Sequence, residues 1–122
     1  MNELEKMQLR TALYGFTGSE YFNKHWTGGG CYTDGVKYLA EHANCYWLLD
    51  KIFTLQRMPS VGKEEFQVWT LEMLPESMAV LKCDNGNDNI VYQEHIQYTD
   101  FPLSEGISLY YENKTLCLPQ ER

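Results

Sequence analysis

At 122 residues the chain is long enough to bury one core and too short to need two. Its 43% apolar content, with nine Tyr, five Phe and three Trp, argues against intrinsic disorder. The formal charge of -7, with basic residues scattered singly, sets aside general nucleic-acid binding, and no apolar run is long enough to cross a bilayer. The opening MNELEKMQLR has no apolar secretory core, which points to a cytoplasmic protein. Cys31, Cys45, Cys83 and Cys117 form no CxxC pair and read as small buried thiols in a reducing compartment. There the Asn113-Lys114-Thr115 sequon carries no glycan.

Taken in order, the first half reads as helical. A helix is expected from Glu3 to Leu13 with Leu4, Met7 and Leu13 facing inward, broken by Gly15 and Gly18. Ser19 caps a short turn through Phe22 in this reading. The stretch HWTGGGCYTDG, His25 to Gly35, follows. A second helix begins at Thr33 or Asp34, where Val36, Leu39, Ala40 and Ala43 keep the i, i+3, i+4, i+7 spacing of one apolar stripe. Asn44 is its left-handed stop. A third helix runs from Cys45 to Arg57 with Trp47, Leu48, Ile52 and Leu55 inward, and Pro59 and Gly62 close it.

From Phe66 the period changes to two. Strands are expected at Phe66–Leu74, Met78–Cys83 and Ile90–Tyr98, with Asp84 to Asp88 as the turn between the last two. Ile90, Tyr92, Ile96 and Tyr98 share one face, interrupted by Glu94, while Val91, Gln93, His95 and Gln97 share the other. A final hairpin pairs Ile107–Glu112 with Thr115–Leu118. The expected fold is α+β: N-terminal helices, about 1–58, packed on one face of a C-terminal antiparallel meander of about five strands, about 66–118, in a single domain over 1–122.

Motifs for chemistry are sparse. The glycine triplet lacks the Lys-Ser/Thr pair of a phosphate loop, since Cys31 and Tyr32 stand in those places, and nothing before Gly28 reads as the strand a dinucleotide fingerprint needs. A flexible turn beside Trp26 and Tyr32 is the preferred reading. His42, Cys45, Cys31 and His25 lack the two tight ligand pairs of structural zinc, and position twelve of the Asp84 segment is His95 rather than a chelating Glu. No metal or cofactor is expected. His25, Asp34 and Asp100 are the candidates for acid–base work, and Trp26, Tyr32 and Tyr98 for contact with a ligand or partner. Against them stands the reading that both acids cap backbone donors and the tyrosines pack.

The segments FTGSE (Phe16–Glu20), YTDGVKYLAE (Tyr32–Glu41), YWLLD (Tyr46–Asp50), FQVW (Phe66–Trp69) and YTDFPL (Tyr98–Leu103) occur in that order. So arranged, the chain resembles a family of small bacterial proteins filed under a domain of unknown function and carried also by phages and plasmids. The likeness runs nearly the whole length, to LPQE at Leu118–Glu121. It implies no activity and no catalytic residue, because the family has none assigned. Two readings follow: a non-enzymatic binding or accessory protein that meets a protein partner or itself, and a small enzyme or binder acting on a metabolite or nucleotide-derived signal.

Overall fold

A computed structural model describes residues 1–18 and 21–122. Helix α1 spans Glu3–Tyr14 and opens with a reciprocal cap: the Asn2 side chain accepts the Glu5 N–H, and the Glu5 carboxylate accepts the Asn2 N–H. Its inward face is Leu9 and Leu13, not the expected Leu4 and Met7, which are 63% and 61% exposed. Those two sit about 140° and 200° round the helix from Leu9. Only the line through Leu9 and Leu13 can meet the core.

The expected turn from Ser19 to Phe22 begins outside the described residues, and Phe22 itself starts a strand. Strand β1, Phe22–Lys24, pairs antiparallel with β2, Cys31–Thr33, so a strand does precede the glycines. Three residues are too few to display a period of two, which is why the pattern was silent there.

Helix α2, Asp34–His42, follows directly and is capped by the Thr33 hydroxyl, which accepts the Val36 N–H at 3.3 Å. Val36, Leu39, Ala40 and Ala43 are all buried, and Asn44 stops the helix at φ 53°. Helix α3, Tyr46–Leu55, buries Leu48, Leu49, Ile52 and Phe53, while Trp47 and Leu55 are half-buried. Pro59 does not close α3. It occupies the first turn of a short helix α4, Pro59–Gly62, where its missing N–H costs nothing, and Val61 is buried there.

The remaining strands are β3 (Phe66–Leu74), β4 (Met78–Asp84), β5 (Ile90–Ile96), β6 (Ile107–Glu112) and β7 (Thr115–Cys117). Among the described residues the sheet has seven strands in the order β1-β2-β7-β6-β3-β4-β5. The α+β class and the five C-terminal strands are as expected, but β1 and β2 from the N-terminal half join them and the strand order is not that of a simple meander. The chain leaves β5 at one edge, crosses through buried Thr99, Phe101 and Leu103, and returns as β6 on the far side of β3. Strand β7 then pairs antiparallel with β6 and parallel with β2. Contacts of such sequence separation leave no local pattern.

The core lies between the helices and one sheet face. Trp69 and Leu71 of β3 stand beside Leu81 and Cys83 of β4 and Leu109 of β6, and all meet the helices. On β5, Tyr92, Glu94 and Ile96 are on this side and half-buried, and Lys51 of α3 reaches both Glu94 oxygens at 2.9 Å. That ion pair explains the charged interruption of an otherwise apolar face. A register shift opposite Cys83/Asp84 lets Val91 pack on the core instead of joining Gln93 and His95 in solvent.

Candidate functional site

The loop joining β1 to β2 is closed by its own backbone. The His25 N–H donates to the Gly30 carbonyl at 2.9 Å, and the Gly28 N–H, at φ +77°, donates to the His25 carbonyl at 3.0 Å. Gly30 lies against the β6–β7 turn, where a Cβ would collide with the Lys114 carbonyl. That carbonyl accepts the Cys31 N–H at 2.9 Å. The loop is therefore docked on the body of the protein, not free of it.

His25 is the pivot and is only 4% exposed. The ring stacks on Phe53 of α3, centroids 4.2 Å apart, with the edge of Tyr32 at 6.3 Å. Nδ1 lies 2.8 Å from the Thr27 hydroxyl and accepts the Thr27 backbone N–H at 3.3 Å. That backbone donor fixes Nδ1 as the acceptor, so Nε2 carries the proton and donates it to Asp50 Oδ1 at 2.8 Å. The indole N–H of Trp26 donates to the same Oδ1, also at 2.8 Å. Trp26 is nevertheless 76% exposed. A large ring is held by its polar edge, with the tilted His25 ring 5.5 Å from its centroid, while most of its surface stands in water.

Around this pivot the structure gathers some of the sequence candidates and separates others. His25, Trp26 and Tyr32 come together. Asp34, in the first turn of α2, accepts a hydrogen bond from Asn23 at 3.1 Å, and Asn23 also donates to the Tyr32 carbonyl. Tyr46 stands one turn before Asp50 on α3 and donates to Glu41 at 3.3 Å. Its phenol is pushed above the ordinary range, first by burial and then by Glu41 and Tyr32. Asp100 and Tyr98 lie elsewhere, beyond the C-terminal end of α2. They line a cleft of about 390 Å³ with Lys6, His42 and Asn44. The nine-residue α2 thus stands between Asp34 and Asp100, a length of about 13 Å.

The residues that sequence reasoning missed are Asp50, Thr27 and Phe53. A threonine two places after a histidine can close a local side-chain turn, which was a usable signal for Thr27. Nothing in the spacing of Asp50 or Phe53 announces a partner 25 or more residues away.

Both ring nitrogens of His25 are committed to neighbours, and the ring is covered. Burial pushes the thiols of Cys45 and Cys83 up to about 12 and that of Cys117 to about 11, so they stay protonated. Among the described residues no group of three or more His, Cys, Asp and Glu side chains is placed to hold a metal ion. No helix among them is long and apolar enough to cross a membrane.

Fold and site together define a small α+β protein that carries a braced, aromatic-tipped hairpin on one flank of a mixed sheet. The chain belongs to DUF6876, a family of unknown function, whose profile matches residues 7–122. No curated protein and no solved structure matches it.

Proposed function

We propose that this protein acts in the bacterial cytoplasm as a non-enzymatic binding factor, engaging a protein partner through the Trp26 surface. The observation that carries the reading is the pairing of exposure with fixation at Trp26. Water covers most of the indole, while Asp50, itself gripped by buried His25, holds its N–H. Interfaces concentrate their energy in such aromatic anchors, and an anchor already ordered loses less entropy on binding. The placement of Asp34 and Asp100 at opposite ends of α2 weighs against the rival reading, in which they and His25 line one pocket for a metabolite or nucleotide-derived signal. An origin on phages or plasmids, suggested by the resemblance in sequence, fits a protein that meets a host component.

The test is photo-crosslinking from position 26 in native cells, with position 93 on the open sheet face as the control. One discrete stoichiometric adduct from position 26 is expected, either with a second protein or with another copy of this chain. No adduct from position 26, together with a monomer by light scattering, overturns the proposal.

A further inference from the structure

We propose, building on that reading, that the partner presents a basic segment whose arginine stacks on the Trp26 indole and hydrogen-bonds to Asp50 Oδ2. The two donors that brace the loop, His25 Nε2–H and the Trp26 indole N–H, converge on one carboxylate oxygen, Oδ1. Among the described residues Oδ2 accepts no hydrogen bond, and the Asp50 side chain is 43% exposed. The structure thus sets an open carboxylate oxygen at the edge of an exposed indole. Both donors are spent on Oδ1, which leaves Oδ2 for a donor of the partner.

A cation fits this arrangement better than an apolar group. The face of an indole attracts positive charge, and a planar guanidinium can stack there while its N–H fork points sideways at a carboxylate. An ammonium can do one of these at a time. The surface continues in the same character along α3, where Tyr46 stands one turn before Asp50 and is bonded to Glu41. The net charge of -7 adds a long-range pull on a basic partner.

The probe is a short capped peptide containing Arg-Gly-Arg, titrated into the full chain while the Trp26 indole resonance is followed by nitrogen-15 NMR. Matched peptides replace arginine by citrulline, which keeps shape and loses charge, or by norleucine. The arginine peptide should shift the Trp26 indole signal, bind at least about tenfold more tightly than either analogue, and weaken as salt is raised. Asp50→Asn keeps an Oδ1 acceptor for the brace but replaces Oδ2 by a donor. It should lower arginine-peptide affinity about tenfold while the folded spectrum persists. Should that variant unfold, the citrulline comparison on the native chain decides alone. Equal binding of arginine and citrulline peptides, or an unmoved indole signal, overturns the inference. If that happens while position 26 still crosslinks a partner, the binding function stands and only the chemistry of its occupant is wrong.

Discussion

Two glycine-bearing hairpin loops in this protein are secured in different ways. The loop between β4 and β5 is held by itself: Asp84 accepts the Gly86 N–H at 2.7 Å, Asn85 accepts the Asn87 N–H at 3.0 Å, and the Asn85 N–H reaches the Asn89 carbonyl. The loop between β1 and β2 is held by others, through Asp50 and Phe53 of α3 and the carbonyl of Lys114. The first makes its hydrogen bonds within itself and meets the body of the protein where Gly86 lies against the Phe66 ring. The second is a platform whose shape depends on residues far along the chain. Glycine content signals neither state. The tethers do.

Substitutions can break this contrast, and the largest effect belongs to His25. His25→Ala removes a buried ring and strands the groups it satisfied, and should cost about 3 kcal/mol in chemical denaturation. Asp84→Ala, which loses only a local turn bond, should cost about 0.5 kcal/mol by the same measurement. Equal losses would show that the β1–β2 loop is no more integrated than its counterpart.

Next in size is Gly30→Ala, whose new methyl meets the Lys114 carbonyl, and about 2 kcal/mol of destabilisation is expected. Gly28→Ala sharpens the point. Nothing lies within 4 Å of a Cβ there, so only the positive φ of 77° is penalised, by about 1 kcal/mol. A thermal melt series separates the two, and the reverse order would mean the loop is not pressed on the β6–β7 turn.

The smallest effect concerns the far edge of the sheet. Hydrogen bonds from Lys51 hold the Glu94 carboxylate below its ordinary value of 4.5, against a smaller opposing push from burial. A depressed folded-state value means that the pair contributes stability above pH 4.5 and loses it as pH falls through the lower, folded value. Glu94→Gln should cost about 0.5 kcal/mol at neutral pH and nothing below that window. A pH series of denaturation midpoints that runs parallel for the two proteins would remove this ion pair from the account.

How much of this was legible in the sequence depends on whether a feature is local. The apolar stripe of α2, the Asn44 stop and the limits of β3 follow from spacing and side-chain type within a few residues. The inward face of α1 is not legible in the same way, because a short stripe of Leu and Met is ambiguous until the surface it packs on is known. Strands β1 and β2 leave no pattern because they are three residues each, and β2 joins the rest of the sheet only through β7. At the site, His25, Trp26 and Tyr32 could be singled out as residue types, but Asp50 could not. Its role exists only once α3 lies beside the loop.

The wedging of β7 between β2 and β6 sets a timetable. Until β7 exists, β2 has no sheet neighbour but its own short hairpin partner. Cys31 and Thr115 are 84 residues apart, so at ordinary ribosome speeds roughly 4 to 17 s separate their synthesis. A half-made chain therefore carries the tryptophan with its Asp50 and His25 braces, but not the Lys114 carbonyl on which the loop is docked. The seat of that loop against the β6–β7 turn is thus among the last contacts the chain can make.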